Sequence, residues 1–294
     1  MKAALRLKPI TLILVIYVSC SILRALEYMF LRTDQTIIGE AFVHKLVGIL
    51  ILATAVRYLS LCWRDIGFTK KAPIKKVAQG LLLGAISFAI AYGAEILLLA
   101  VNGNVPSLRI YVTGYSVSGN RGSETGLLFF VMCVAGNIIN VMMEEGVFRG
   151  LFIGLSERRY SFANAVLISS TLFGLWHIAA PVRSLLDGEM NATQAAVMSL
   201  MLVLFTGVAG VKFCLLTRLS GSLWMPMGDH FFNNTIINTL HVVTASGTDT
   251  LQIVRISVAQ TLSFILVLLI YWKTGARYKQ TFRGLKSSYY TLIF

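Results

Sequence analysis

Charged residues are scarce in this sequence of 294 amino acids: Asp, Glu, Lys and Arg together make up 13% of it. An ordinary soluble domain contains about 25% charged residues, so the composition excludes that class of protein. Hydrophobic residues reach 56%, and the mean hydropathy is +0.73. The sequence therefore predicts a polytopic membrane protein.

Acidic residues and paired cysteines are also lacking. The 13 acidic residues stand against 26 Lys and Arg, which gives a formal charge of +13. A basic chain can attract nucleic acid, but one this apolar is expected to contact the anionic cytoplasmic face of a lipid bilayer instead. The four cysteines are scattered singly and form no C-x-x-C pair, which argues against a structural zinc or redox site.

Long apolar runs fill most of the chain, and about 20 apolar residues suffice to cross the hydrocarbon core of a bilayer. We predict an all-α protein with eight transmembrane helices, forming a single domain over residues 1–294. The predicted spans are Pro9–Leu31, Thr36–Trp63, Val77–Val101, Thr125–Glu145, Phe162–Ala180, Ala192–Leu216, Leu223–Val243 and Leu251–Trp272.

Basic residues alternate between the predicted linkers. About eighteen Lys and Arg lie in the two termini and the even-numbered linkers, against four in the others. Short loops rich in Lys and Arg stay in the cytoplasm, so both termini are predicted to be cytoplasmic. The expected location is the plasma membrane of a prokaryote or the endoplasmic reticulum membrane of a eukaryote.

The fourth span ends in NIINVMMEEGVFRG, which contains two adjacent carboxylates. An ionised carboxylate in hydrocarbon costs roughly 3 kcal/mol or more, so the pair indicates a functional site. Helical periodicity places Asn137, Asn140 and Glu144 on one face, while Glu145 and Arg149 form an i,i+4 pair. Arg149 can then hold Glu145 ionised and leave Glu144 free as a titratable base. A packing cluster of both glutamates with Arg149 is the structural alternative.

The fifth span carries Phe173 and His177 at i,i+4, where the phenyl ring can wall a site and restrict the imidazole. A hydrogen bond between helices is the simpler role for a single membrane histidine. The zincin motif H-E-x-x-H is absent from the sequence. Even so, His177, His230 and a glutamate are a conceivable set of metal ligands.

The seventh span contains GDHFFNN, with His230 and Asn234 at i,i+4. Both side chains can donate hydrogen bonds to one point, as an oxyanion requires, or they can form a polar helix contact. Asp229 and Asn233 form a second pair one residue earlier, so the segment leaves open which face looks inward. An amide is a poor zinc ligand and a good donor, so Asn234 favours a site without a metal. No cofactor is expected.

Together, the glutamate, the two histidines and the asparagine describe the hydrolysis of a peptide bond by an activated water. The segments EEGVFR, FGLWH and HFFNN resemble the motifs EExxxR, FxxxH and HxxxN of the CAAX-protease and bacteriocin-processing membrane proteins. That family includes the Ras-converting CAAX endopeptidase. The motifs occur in the family's order within residues 137–243, whereas the first three helices match only in being hydrophobic.

The resemblance implies roles for individual residues of this sequence. Glu144 and His177 would activate the water, and His230 and Asn234 would form the oxyanion hole. The implied supporting residues are Glu145 and Arg149, with Phe173 beside His177.

The sequence thus predicts a glutamate-dependent intramembrane endopeptidase of the CAAX-processing type. Its substrate would be a membrane protein or peptide, with or without a lipid. The alternative is a non-catalytic protein of the same fold that binds a peptide or partner, as in bacteriocin immunity or complex assembly. A transporter is a third reading, since buried carboxylates also relay protons. The fourth helix is expected to end at Glu144 on the cytoplasmic side, so the cavity should open there.

Other charged residues lie within the predicted spans. Arg24 and Glu27 have i,i+3 spacing and are expected to pair with each other. Glu95 and Arg255 have no partner nearby in the sequence. Structural pairing or snorkelling is expected for them, with a substrate groove as the alternative.

The predicted topology can be tested by cysteine labelling in a cysteine-free background. Ser107→Cys and Asp187→Cys should react with an impermeant thiol reagent added to intact cells, because both lie in linkers predicted to be outside. Lys71→Cys and Arg158→Cys should react only after the membrane is permeabilised. Labelling of Lys71→Cys in intact cells would contradict the assignment.

Overall fold

The structure is a computed structural model that describes residues 8–36, 41–114, 121–245, 247 and 249–274. Ten α-helices dominate this part of the chain. They are α1 (Pro9–Leu26), α2 (Val43–Tyr58), α3 (Pro73–Val101), α4 (Leu127–Glu144), α5 (Ile153–Ser156), α6 (Phe162–Trp176), α7 (Ala179–Leu186), α8 (Ala192–Ser220), α9 (Trp224–Thr239) and α10 (Gln252–Thr274).

Two π-helical segments extend α1 and α4, at Glu27–Leu31 and Glu145–Phe152. Short 3₁₀ turns lie at Thr33–Gln35 and Trp63–Ile66. Four short strands form two antiparallel pairs, β1 with β4 and β2 with β3. Their bounds are β1 (Ser107–Ile110), β2 (Val112–Gly114), β3 (Arg121–Glu124) and β4 (Leu240–Val243).

Six helical segments of the described chain are long and apolar enough to cross a membrane. They are Pro9–Gln35, Pro73–Val101, Leu127–Ser156, Phe162–Leu186, Ala192–Ser220 and Gln252–Thr274. The remaining two predicted spans contain α2 and α9, which have 16 residues each. The helical, polytopic architecture is confirmed, while the count of eight spans and the side of each terminus stay predictions.

The prediction that the fourth helix ends at Glu144 is wrong. The chain stays helical to Ser156, first through the π-helical segment and then through α5. All eight residues of that segment are buried, and its one cation, Arg149, lies 3.4 Å from the carboxylate of Glu145. The helix therefore continues because its charges are neutralised locally and its remaining side chains pack in the core. Arg149 consequently belongs to the interior and not to a cytoplasmic linker.

The end of the seventh predicted span is also not helical. Leaving α9 at Thr239, the chain forms β4, which pairs with β1 so that Leu108 faces Val242 and Arg109 faces His241. The β-branched Val242 and Val243 favour this extended conformation. Strand β1, in the loop between α3 and α4, thus holds the end of α9 through a small sheet.

Close packing against α3 fixes the position of α9. A Cβ atom at Gly80 would lie 2.0 Å from the carbonyl oxygen of Met225, and one at Gly228 would lie 2.4 Å from that of Val77. Only glycine allows the two backbones to approach this closely. The helix that carries the predicted histidine and asparagine is therefore held directly on α3.

A buried ion cluster joins the C-terminal end of α3 to the N-terminal end of α10. Arg255 donates to Glu95, and its Nη2 lies 2.5 Å from Oδ2 of Asp249. His241 Nδ1 lies 3.3 Å from the same Asp249 oxygen. The structural pairing of Glu95 and Arg255 is confirmed; the substrate-groove alternative is not needed, because neither side chain lines the cavity described below.

The helix contact can be tested with two alanine substitutions in α3. Gly80→Ala should destabilise the protein by roughly 1–3 kcal/mol, because the methyl group overlaps the α9 backbone. Gly93→Ala is the matched control: apart from the backbone of its own helix and its chain neighbours, no atom lies within 4 Å of its Cβ position. Because Gly93 is exposed in the middle of a helix, this substitution should raise the free energy of unfolding by about 1 kcal/mol. Denaturant unfolding in detergent measures both, and equal shifts would contradict the close contact.

Candidate active site

A cavity of about 1150 Å³ lies among α1, α4, α6, α8, α9 and α10. Five of the predicted site residues line it: Glu144, Phe173, His177, His230 and Asn234. The structure thus brings together side chains from three helices that are far apart in the sequence. The other two predicted residues lie deeper in the protein beside His230.

The fourth helix presents three polar residues to this cavity. Asn137, Asn140 and Glu144 all line it, as the helical periodicity predicts. Glu144 Oε1 accepts a 2.9 Å hydrogen bond from the indole nitrogen of Trp176, and Nη1 of Arg24 lies 3.9 Å from the same oxygen. Its other oxygen, Oε2, lies 3.7 Å from Nε2 of His230. One carboxylate oxygen is thereby fixed while the other is directed towards α9.

The second glutamate serves a different neighbour. Glu145 Oε1 lies 2.8 Å from Nδ1 of His230 and 3.4 Å from Nη1 of Arg149. The i,i+4 pair expected from the sequence is present, and the contact with His230 is an addition that spacing did not reveal. The change from α- to π-helix falls between Glu144 and Glu145, a distortion that is frequent at functional sites.

Arg149 is held in place by aromatic rings as well as by Glu145. Its Cζ lies 3.8 Å from the ring centroid of Phe173 and 5.1 Å from that of Phe213. Cation–π contacts of this kind stabilise a desolvated guanidinium. Phe213 also stacks on His230, with ring centroids 4.7 Å apart. The cation and the imidazole are therefore packed into one rigid aromatic cluster.

Hydrogen bonding determines which nitrogen of His177 carries a proton. Its Nδ1 lies 2.8 Å from the carbonyl oxygen of Phe173, which can only accept, so Nδ1–H donates. In the neutral ring, Nε2 then offers a lone pair. His177 caps the C-terminal end of α6 and packs edge-on against the Phe173 ring, with centroids 4.8 Å apart.

The orientation of α9, which the sequence left open, is settled by its neighbours. Asp229 points away from the cavity and lies 2.6 Å from Nζ of the buried Lys212. Asn233 and Asn234 both line the cavity, and Nδ2 of Asn233 donates to Oδ1 of Asn234 at 3.0 Å. The face carrying His230 and Asn234 therefore looks inward.

Two residues at this site were not identified from the sequence. A buried tryptophan N–H requires an acceptor, so Trp176, next to His177, carried a readable signal. Arg24 did not, because its spacing pointed to Glu27, and that predicted pair is wrong. Glu27 instead binds the side chain and backbone of His44, while Arg24 stacks on Trp176 with Cζ 4.6 Å from the ring centroid.

The cavity extends to the linkers that follow α1 and α7. Its lining includes Asp34, Arg183 and Glu189, which belong to linkers predicted to be outside. Exposed apolar side chains such as Val197 and Phe205 extend the lining along α8, opposite α10. The expected cytoplasmic opening assumed that the helix ends at Glu144, whereas the chain stays helical to Ser156. The side on which the cavity opens stays a prediction.

Gly207 and Gly210 of α8 lie beside α6. Cβ atoms at these positions would lie 3.5 Å from the carbonyl oxygen of Ser170 and 3.2 Å from its side chain. The glycines therefore form a close contact with α6. The apolar side of the cavity lies along another face of α8.

The same side chains bear on metal binding. Within the described residues, no group of three or more His, Cys, Asp and Glu side chains is placed to hold a metal ion. His177, His230 and Glu144 remain the side chains from which a metal ligand set would have to come. A metal-free site stays a prediction.

Comparison with known families covers the helices that carry these residues. Residues 126–236 match the family model described as type II CAAX prenyl endopeptidase, Rce1-like. This part of the chain is similar to the Rce1-like CAAX endopeptidases. The similarity indicates an intramembrane protease and does not favour a non-catalytic binding protein. Searches of curated proteins and of solved structures each returned no significant match.

The six apolar helices and the family match together identify an integral membrane protein. Which membrane holds it stays a prediction. Arg24 lies outside the matched residues, so part of the Glu144 environment comes from a helix that the family match does not cover.

The support of Glu144 by Trp176 can be tested with two Trp→Phe substitutions. Trp176→Phe removes a hydrogen bond to a buried carboxylate and should lower the free energy of unfolding by roughly 1.5–3 kcal/mol. Peptidase activity should fall with it. Trp224→Phe is the control, since its indole donates to the neutral carbonyl of Thr69 at 2.8 Å. It should cost about 0.5–1.5 kcal/mol and retain activity; equal losses would contradict a special role for Trp176.

Proposed function

We propose that this protein is an intramembrane endopeptidase in which Glu144 is the general base that activates a water molecule. The position of Glu144 carries the proposal. It is a buried carboxylate on the wall of a large cavity, with one oxygen bound by Trp176 and the other directed towards His230. A fixed carboxylate with one oxygen available can take a proton from a water without first reorganising.

His177 is proposed to orient that water. Since Nδ1–H is committed to the Phe173 carbonyl, the Nε2 lone pair of the neutral ring can accept a hydrogen bond from the water. Glu144 then removes the second proton as the oxygen attacks the peptide carbonyl. In this scheme Nε2 of His177 orients the water, and the free carboxylate oxygen of Glu144 accepts its proton.

His230 and Asn234 are proposed to stabilise the negative oxygen of the tetrahedral intermediate. With Nδ1–H facing the Glu145 carboxylate, Nε2 of His230 can donate only when the ring is an imidazolium. Glu145, at 2.8 Å, and Glu144, at 3.7 Å, supply the negative charge that such a ring requires. Glu145 therefore acts through His230, in addition to neutralising Arg149.

The proposed substrate is a membrane-associated peptide carrying a prenyl group, as the family description indicates. The exposed apolar residues of α8 that line the cavity, among them Val197, Met201 and Phe205, offer a surface on which an isoprenoid chain can be buried. The labelling experiment on topology decides from which side of the membrane such a substrate reaches the cavity. No soluble cofactor is required by this mechanism.

The proposal is tested with purified protein and a farnesylated peptide ending in a CaaX sequence, alongside the same peptide without the lipid. Glu144→Gln should abolish cleavage, because the amide keeps the shape of the side chain and cannot accept the proton. Product formation is followed by mass spectrometry. Exposed Glu124→Gln, in β3, controls for the substitution itself and should cleave like the wild type.

Glu145→Gln should have a different signature. It weakens the contacts with both Arg149 and His230, so stability and activity should fall together, whereas Glu144→Gln should remain folded. Wild-type rates for Glu144→Gln would overturn the assignment of the base. If the wild type bound the peptide specifically and did not cleave it, the proposal of an endopeptidase would be overturned. The non-catalytic binding protein would then remain.

A further inference from the structure

A chain of polar side chains connects the core of the protein with Asn234. Lys212 Nζ donates to Oε1 of Gln260 at 2.7 Å, and Nε2 of Gln260 donates to Oδ1 of Asn233 at 2.7 Å. Nδ2 of Asn233 then donates to Oδ1 of Asn234 at 3.0 Å. We call Lys212, Gln260, Asn233 and Asn234 the amide relay. It crosses from α8 to α10 and on to α9.

The direction of every bond in the amide relay follows from its first member. The oxygen and nitrogen of a side-chain amide are nearly indistinguishable, so an isolated amide has two orientations. An ammonium group, however, has donors only, so Gln260 must present its oxygen to Lys212 and its NH₂ to Asn233. The same logic makes Asn233 accept from Gln260 and donate to Asn234. Asn234 is left with Oδ1 occupied and its NH₂ group available.

The first member is itself firmly fixed. The side chain of Lys212 is buried, and Nζ contacts Oδ2 of Asp229 at 2.6 Å and Oγ of Ser263 at 3.1 Å. A buried ammonium paired with a carboxylate stays charged, because the neutral state would leave that carboxylate unpaired in the interior. Lys212 therefore cannot become an acceptor and reverse the relay.

We propose that Gln260 is a positioning residue that makes Asn234 a hydrogen-bond donor at the oxyanion site. This inference rests on the proposed function and assigns to α10, which lies beyond the matched residues 126–236, a part in it. An asparagine that presented Oδ1 to the cavity would repel a negative oxygen, whereas one that presents NH₂ stabilises it. The relay selects the second orientation before any substrate binds.

The test compares the loss of kcat for two substitutions at Gln260. The relay predicts the larger loss for Gln260→Glu, whereas a packing role predicts it for Gln260→Leu. Gln260→Glu keeps the shape but accepts only, so Asn233 turns its NH₂ to the introduced carboxylate and Asn234 turns its NH₂ to Asn233. Its kcat should fall roughly 100-fold, as for the loss of one oxyanion donor, with KM unchanged. Gln260→Leu leaves Asn234 free to take either orientation and should lose less kcat. Asn233→Asp interrupts the relay one step later and should act like Gln260→Glu.

A matched control lies two turns away on the same helix. Gln252 is buried on α10 and, like Gln260, donates to α9, at the carbonyl oxygen of Ile237 at 3.0 Å. It does not belong to the relay. Gln252→Glu should therefore lower the thermal midpoint as Gln260→Glu does while leaving kcat unchanged. A larger kcat loss for Gln260→Leu than for Gln260→Glu would show a packing role and overturn the inference.

A second measurement does not depend on catalysis. In protein labelled with ¹⁵N-asparagine, the side-chain NH₂ signal of Asn234 is identified by its absence from Asn234→Asp. These protons should exchange rapidly with solvent in the wild type and at least tenfold more slowly in Gln260→Glu, where they bond to Asn233. Slow exchange in the wild type, or no change between the two proteins, would overturn the relay. Should the wild type cleave no peptide, the proposed function fails, and the exchange rates still decide the orientation of Asn234.

Discussion

The rest of the site depends on the contacts that the carboxylate of Glu145 makes with its two neighbours. The carboxylate lies between Arg149 and His230, and so joins the π-helical segment to α9. Removing charge from one member would leave the others buried without compensation, which is costly in the interior of a protein. The aromatic rings of Phe173 and Phe213 enclose the same group. The imidazole that faces Glu144 is thereby held by a cluster that takes no direct part in the proposed reaction.

Contacts within one helix were readable from the sequence. The face shared by Asn137, Asn140 and Glu144, and the pairs Glu145–Arg149 and Phe173–His177, follow from helical spacing alone. Their proximity to His230 and Asn234 did not follow from spacing; it was expected only because the three motifs occur together. The three motifs together thus predicted a proximity between helices that the periodicity within one helix cannot predict.

Contacts between distant helices were the part that sequence reasoning missed. Trp176 and Arg24 meet Glu144 across the bundle, and Gln260 reaches α9 from a helix that carries none of the motifs. The end of the fourth helical span, which continues from α4 to Ser156, was misplaced for a related reason. The pair Glu145–Arg149 looked like the polar boundary of a span, although its charges neutralise each other inside the protein. A count of charges detects polarity, but only tertiary structure reveals whether that polarity faces water.

The π-helical segment has a consequence for the alignment of the two ends of its helix. A π-helix places more residues in each turn than an α-helix, so Glu145–Phe152 accommodates chain length that a regular helix of the same rise would not hold. If the same residues adopted ordinary α-helical winding, the residue held in the wide turn would rotate the preceding portion by about 100° relative to α5. Glu144 would then turn away from Trp176 and His230 without any change in composition. The winding of this segment, as much as the identity of its side chains, determines where the buried carboxylate points.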